Sequence, residues 1–176
     1  MILYHFTSML HRIFIDREGM NRGECPVNDK LILNHPNLTI DPSPHNQGWS
    51  VVGRGGNVVN KQAVRYTVEI PDGDENLLTW TDLTRLHGMS KATYWRYNAA
   101  GGWCAKNWWI YRGTVPPDWF KAVEVLSEGI TEIEQHILTV AQDCGTYDEV
   151  LERLGAVKKD NGYVGLDLIT VDILAD

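Results

Sequence analysis

The sequence has no long uninterrupted apolar stretch. Its 176 residues are 43% hydrophobic, yet no run of 18 apolar residues occurs, which excludes an ordinary membrane-spanning helix. The segment from Met1 to His5 has no basic residues ahead of an apolar stretch, so a secretory signal peptide is not predicted. We therefore expect a cytoplasmic protein without membrane contacts that folds around one compact core, with an appended piece.

Cysteine is scarce, and the positions of the cysteines bear on whether the chain has disulfides or a structural zinc site. Cys25, Cys104 and Cys144 are odd in number, widely spaced and free of any C-x-x-C pair. This arrangement argues against a disulfide framework and against a structural zinc site. The six histidines show no H-x-x-x-H spacing, so no metal site is predicted.

Several catalytic motifs are also missing. The glycines at Gly53, Gly55 and Gly56 do not have the spacing of a dinucleotide fingerprint, and neither a P-loop nor a G-x-S-x-G nucleophile elbow occurs. The H-x-T of His5-Phe6-Thr7 occurs once, whereas a two-histidine phosphoesterase needs a base and an acid from two copies. These absences exclude Rossmann dehydrogenases, P-loop enzymes, serine hydrolases of that type and two-histidine phosphoesterases.

Charge divides the chain into two parts. Residues 1–126 contain 13 Lys and Arg against 12 Asp and Glu, whereas residues 127–176 contain 3 against 11. The net charge of −7 therefore belongs to the carboxyl-terminal part. An acidic surface disfavours general binding to nucleic-acid phosphates, although the nearly neutral first part is compatible with a nucleotide.

Hydrophobic periodicity predicts a mixture of strands and helices without regular β-α-β alternation. The segment 1–8 reads as a strand, the segment 9–20 as a helix ending at Gly19, and Val64 to Ile70 as a strand with strict alternation. Thr81 or Asp82 is the expected N-cap of a helix within residues 75–89, and Ser90 that of the next helix. The pattern favours the α+β class, with a core in residues 1–126 and an acidic extension in residues 127–176. We expect that extension to contain two helices and a final strand over residues 163–174.

Three segments carry a resemblance to a known family. The first strand has the form Y-H-x-T-S, the following helix ends in I-x-x-x-G-M at Met20, and two later segments run from Asn37 to Trp49 and from Asn107 to Val125. Together they resemble the ADP-ribosyltransferase-like superfamily, particularly small bacterial or phage members of the DarT type and the RNA phosphotransferase type. The resemblance covers about residues 3–126.

The resemblance implies a fold and a ligand. It implies a split antiparallel β-sheet core with flanking helices, whose cleft binds NAD as a substrate. His5 would bond a ribose hydroxyl or the nicotinamide end, with Thr7 beside it and Thr39 lining the second motif. The family cleaves a glycosidic bond through an oxocarbenium-like state, which a carboxylate near the ribose stabilises.

The expected position of that carboxylate has no acidic residue in this sequence. The strand from Ala105 to Gly113 contains Asn107 but neither Asp nor Glu. Glu69 is the candidate from another strand, and its alternative interpretation is an exposed glutamate beside Arg65. Catalytic roles are therefore predicted for His5 and Glu69.

The aromatic strand near residue 108 offers further ligand contacts. Alternation places Trp108 and Ile110 on one face and Asn107, Trp109 and Tyr111 on the other. One set is expected to form core, and the other to line the cleft, because aromatic rings stack on nicotinamide or adenine. Asn107, Trp109 and Tyr111 are the predicted cleft set.

Two functions of different classes follow. The first is an NAD-binding ADP-ribosyltransferase-like enzyme that modifies a nucleic acid or a protein. The second is a catalytically degenerate scaffold of the same fold that binds a nucleotide or a protein. The acidic extension either packs as ordinary helices or presents a charged face to a basic protein partner. Five acidic residues form that predicted face: Glu132, Glu134, Asp148, Glu149 and Glu152.

Overall fold

The computed structural model describes residues 1–46, 60–102, 104–126 and 132–153. The strands are β1 (Ile2–Thr7), β2 (Glu24–Pro26), β3 (Ile32–Asn34), β4 (Asn37–Thr39), β5 (Val64–Glu69), β6 (Leu77–Thr79), β7 (Trp108–Tyr111) and β8 (Phe120–Val125). The helices are α1 (Met9–Glu18), α2 (Trp80–Leu86), α3 (Lys91–Ala100), α4 (Glu132–Gln142) and α5 (Tyr147–Arg153). Single 3₁₀ turns cover Pro44–Asn46, Ala105–Asn107 and Pro117–Trp119.

Six strands form one antiparallel sheet in the order β6-β7-β4-β1-β5-β8. The strands β2 and β3 pair separately as a short antiparallel hairpin. Helices surround the sheet without a repeating β-α-β order. The predicted α+β class is therefore confirmed.

Strict alternation along β5 explains how one face of the sheet becomes core. Val64, Tyr66 and Val68 are fully buried, whereas Glu69 at the strand end is exposed. Leu3 on β1 lies opposite Val68 and joins the same apolar cluster. A period of two places these side chains on one face, as the sequence predicts.

The other face of the sheet packs against a second apolar cluster. Ile110 on β7 meets Trp80 and Leu83 of α2, together with Cys25 of the β2–β3 hairpin. The two clusters lie on opposite sides of the sheet, since successive residues of a strand point to opposite faces.

Side-chain caps determine where the helices begin. Ser8 accepts a hydrogen bond from the His11 amide at the start of α1, and Ser90 accepts one from the Thr93 amide at the start of α3. The N-cap prediction for α2 is wrong, because Thr79 occupies that position and accepts from the Asp82 amide.

Gly19 ends α1 as predicted. Its φ is 78°, and a Cβ added there would lie 2.5 Å from the Val115 carbonyl oxygen. Only glycine combines that backbone conformation with so close an approach. Because the chain passes so close to Val115, Met20 forms an antiparallel β-bridge with Val115 immediately after the helix.

The carboxyl-terminal extension begins with the two predicted helices, α4 and α5. The helix α4 contacts α1, so this part packs on the core. The predicted strand over residues 163–174 lies outside the described residues. Among the described helices, none has both the length and the apolar character needed to cross a bilayer.

Candidate functional site

The pairing between β1 and β4 is the shortest in the six-stranded sheet. These strands share a single residue pair, Tyr4 with Thr39, whereas β1 and β5 share six pairs. Beyond that pair, the His5 Nδ1 atom lies 2.7 Å from the Asn37 carbonyl oxygen. A bond from a side chain thus joins β1 to β4 beside their single backbone pair.

A cavity of 440 Å³ lies beside β1 and β4. Its walls come from β1, β4 and β7, from α1 and α3, and from the chain that leads into β2. The residues that line it include Tyr4, His5, Phe6, Thr7, His11, Phe14, Ile15, Glu18, Arg22, Glu24, Thr39, Lys61, Trp80, Tyr97, Gly101, Trp108 and Ile110. Its volume lies within the range of roughly 300–1,000 Å³ typical of small-molecule sites.

The bond between His5 and Asn37 fixes the tautomer of the imidazole. A carbonyl oxygen only accepts hydrogen bonds, so Nδ1 carries the proton and Nε2 is left as an acceptor. Burial lowers the pKa of His5 and outweighs the opposite effect of the Asn37 bond. His5 is therefore a neutral acceptor at pH 7.

One face of α1 forms a wall of the cavity. His11, Phe14, Ile15 and Glu18 stand at positions i, i+3, i+4 and i+7, which lie along one side of a helix. The wall therefore has an imidazole in its first turn and a carboxylate at its last residue.

His11 is held neutral by its surroundings. Burial lowers its pKa to about 4, and the positive charges of Lys61 and Arg22 act in the same direction. Its Nδ1 atom lies 2.9 Å from the Ser8 hydroxyl, which also caps α1. The amino-terminal end of the helix further disfavours a charged imidazole.

Glu18 brings a carboxylate to the cavity. Its Oε2 accepts a hydrogen bond of 3.4 Å from the Asn21 side chain. Its Oε1 is buried and has no hydrogen-bond partner among the residues that the structure describes. Such an atom is rare in native structures, because desolvation without a bond is costly.

Aromatic rings form the opposite wall. The Trp80 ring lies 5.3 Å from that of Trp108, at an interplanar angle of 67°, and 6.4 Å from that of Tyr97, at 81°. The Trp80 Nε1 donates to the Pro26 carbonyl at 2.9 Å. The Trp108 Nε1 is buried without a partner in the described part of the chain. This wall suits a planar ring with a hydrogen-bond acceptor.

Two cations stand at the rim. Arg22 and Lys61 line the cavity, and Arg22 also donates to the Asp148 carboxylate of α5 at 3.0 Å. Cations beside neutral imidazoles suit a ligand with an anionic group such as a phosphate. No group of three His, Cys, Asp or Glu side chains within the described ranges is arranged to hold a metal ion.

The structure brings three predicted site residues together. His5, Thr7 and Thr39 all line the cavity. Thr7 and Thr39 are buried, and the Thr39 Oγ1 accepts from the Asp41 amide at 3.1 Å.

The other residues predicted to contact NAD lie elsewhere. Trp109 and Tyr111 face the first apolar cluster on the opposite side of β7, and the Tyr111 hydroxyl donates to Asp74. Asn107 lies in the turn before β7, and its carbonyl accepts from the Ile40 amide. The alternation along β7 is as predicted, but the face that lines the cavity is that of Trp108 and Ile110.

Glu69 is also distant from the cavity lining. It is the exposed last residue of β5, and it forms an ion pair of 2.6 Å with Lys121. A hydrogen bond and the charge of Lys121 lower the pKa of Glu69. The position of Glu69 gives no support to the predicted catalytic role.

Sequence reasoning missed His11, Glu18 and Trp108 as cavity residues. The helical period from His11 to Glu18 is present in the sequence, but an apolar stripe of Leu10, Ile13 and Phe14 follows the same period. Which flank of α1 faces a cavity depends on how α1 packs beside the sheet, which no local pattern reports.

No match to a known protein helps to interpret this site, so its chemistry is inferred from its geometry. The chain matches no protein-family model, no curated protein and no solved structure.

Proposed function

We propose that the protein binds NAD between β1 and β4 and is an ADP-ribosyltransferase-like enzyme that modifies a nucleic acid or a protein. One observation carries this proposal. The segment Tyr4–Thr7, on which the resemblance depends, lines a 440 Å³ cavity beside β1 and β4. The resemblance implies a cleft for NAD at this segment.

The chemistry of the walls supports NAD as the ligand. His5 Nε2 is available to accept from a ribose hydroxyl, and the half-buried ring of Trp108 lines the same cavity. Arg22 and Lys61 place positive charge where a diphosphate would bind.

A second candidate is a catalytically degenerate scaffold that binds a nucleotide or a protein. The strand β7 and its flanks, Ala105 to Gly113, contain no Asp or Glu, and Glu69 pairs with Lys121 at the surface. The two candidate functions share the binding site, and they differ in whether the protein cleaves the NAD that it binds.

The experiment is a calorimetric titration with NAD, together with an assay for released nicotinamide. The variants are His5→Ala and His5→Gln, of which the glutamine retains an amide donor for the Asn37 carbonyl. His87→Ala is the matched control, because His87 is exposed at the end of α2. Near-UV circular dichroism verifies that each variant is folded.

We expect saturable binding by the wild type and by His87→Ala, and affinity at least tenfold lower for His5→Ala, which corresponds to about 1.4 kcal/mol. Nicotinamide release would establish the enzyme, and binding without release would favour the scaffold. Absence of binding, or equal affinity of His5→Ala, would contradict the proposal.

A further inference from the structure

The carboxylate of Glu18 is the least satisfied charged group in the cavity. The Oε1 atom is buried without a partner among the described residues, and the single donor to Oε2 is Asn21 at a long 3.4 Å. A buried charged oxygen without a hydrogen bond costs more than a neutral one. A group that binds in the cavity would supply the missing partner.

Its place on α1 increases that cost. Glu18 is the last residue of the helix, where the carbonyl groups give the helix end a partial negative charge. A carboxylate at this end is disfavoured, and a positive charge is favoured. The carboxyl-terminal end of α1 is therefore a place in the cavity suited to a cationic group.

The other acidic candidate does not have these properties. Glu24 also lines the cavity, but it is exposed on β2, where its backbone carbonyl accepts from the Asn37 side chain. Water can satisfy the Glu24 carboxylate, whereas the Glu18 Oε1 is shielded from it.

We infer that Glu18 is the catalytic carboxylate of this site and stabilises the cationic ribose that forms when NAD loses nicotinamide. The inference rests on the proposed function and assigns a residue to it. Preorganised charge in a water-excluded site is effective because it needs no reorganisation during the reaction.

The assigned step is balanced without an oxidant or a reductant. The bond between ribose C1′ and the nicotinamide nitrogen breaks, and its electron pair leaves with neutral nicotinamide. The ribose ring becomes an oxocarbenium-like cation beside the Glu18 carboxylate. Water or an acceptor group then adds to C1′, and the proton that it loses goes to the carboxylate or to solvent.

The test compares Glu18→Gln and Glu18→Asp with Glu75→Gln, a change of the same kind at an exposed position outside the cavity. For each protein we would measure NAD affinity, kcat and KM for nicotinamide release, and the urea midpoint of unfolding. Glutamine keeps the size of the side chain and removes its charge.

We expect Glu18→Gln to bind NAD within threefold of the wild type and to lose at least about a hundredfold in kcat. Glu18→Asp should retain part of the rate, and Glu75→Gln all of it. The stability of Glu18→Gln should equal or exceed that of the wild type, because the substitution removes an unsatisfied buried charge.

Four results would overturn the inference. A wild-type kcat for Glu18→Gln would remove the carboxylate from the chemistry, and a lower urea midpoint together with lost binding would indicate a structural role. A wild-type protein that binds NAD without releasing nicotinamide would overturn the role of Glu18 and leave NAD binding intact. A wild-type protein that does not bind NAD would overturn both the inference and the proposed function.

Discussion

Two neutral histidines define the chemistry of the cavity at the scale of single residues. The Asn37 carbonyl fixes His5 with its proton on Nδ1, and burial keeps the pKa of both imidazoles below the ordinary value. Neither ring acts as a cation at pH 7. Positive charge is supplied by Arg22 and Lys61, so the roles of hydrogen-bond acceptor and charge partner belong to different residues.

The lowered pKa of His11 predicts a pH-dependent stability. Its pKa is 6.5 in the unfolded chain and about 4 in the folded protein, so between these values the unfolded chain binds more protons. The stabilisation is complete above pH 6.5 and is lost as the pH falls toward 4. From pH 7.5 to pH 5.0, His11 should reduce the free energy of unfolding by at most about 2 kcal/mol.

Urea unfolding at these two pH values checks this prediction. His11→Gln should reduce the difference between pH 7.5 and pH 5.0 by at least half, whereas the exposed-site control His87→Gln should preserve it. An unchanged difference in His11→Gln would show that the pKa of His11 is not lowered by folding.

At the scale of the element, the end of α3 supports the aromatic wall. Gly101 follows α3 with a φ of −85°, a value that any residue adopts. This position therefore requires glycine for steric reasons and not for its backbone conformation. A Cβ at this position would overlap the ring of Trp108. The close approach of α3 to β7 therefore holds Trp108 against Trp80 at the cavity.

Gly101→Ala should consequently destabilise the protein by about 1–3 kcal/mol, as inserted volume does in packed interiors. It should also weaken NAD binding, since Trp108 must move. Gly113→Ala is the control, because a Cβ there meets Tyr111 at 3.4 Å, an ordinary contact, and should change stability by less than about 0.5 kcal/mol. Equal stability of the two variants in urea would contradict this account of the wall.

Elements with strong periodicity were predictable from the sequence. The alternation in β5 and the Ser8 and Gly19 signals of α1 are local, so β5 and α1 could be assigned without tertiary information. The cap of α2 was missed because Thr79, Thr81 and Asp82 all have capping side chains, and the packing of Trp80 selects among them.

The site was predictable only in part, because tertiary packing rather than local sequence decides which other residues line it. His5, Thr7 and Thr39 lie on short motifs that could be read directly. The two faces of β7 could be separated by alternation, but the face that lines the cavity depends on the pairing of β7 with β4. Glu18 joins the cavity through the packing of α1 beside β1 and β4, and no sequence pattern reports that packing.

At the scale of the whole molecule, the acidic extension is connected to the cavity. Asp148 on α5 forms an ion pair with Arg22, 126 residues away in sequence, at the cavity rim. The negative part of the chain thus contacts a cation that a ligand phosphate would use. A basic protein partner for residues 127–176 stays a prediction.

Asp148→Asn should therefore raise the affinity for NAD by up to about threefold at low salt, because exposed ion pairs contribute about 0–1 kcal/mol. The gain should disappear at high salt, where such pairs are screened. Asp143→Asn is the matched control, because it removes the same charge from the extension at a residue that pairs with Arg153. Equal effects of the two variants in calorimetry would contradict a specific role of Asp148.

The most direct test of the central claim is a crystal structure of the protein with NAD bound. The account predicts ligand density between β1 and β4, with a ribose hydroxyl or the nicotinamide amide bonded to His5 Nε2 and the nicotinamide ribose beside Glu18. Density for NAD elsewhere on the protein, or a β1–β4 cavity that stays empty at saturating NAD, would contradict it.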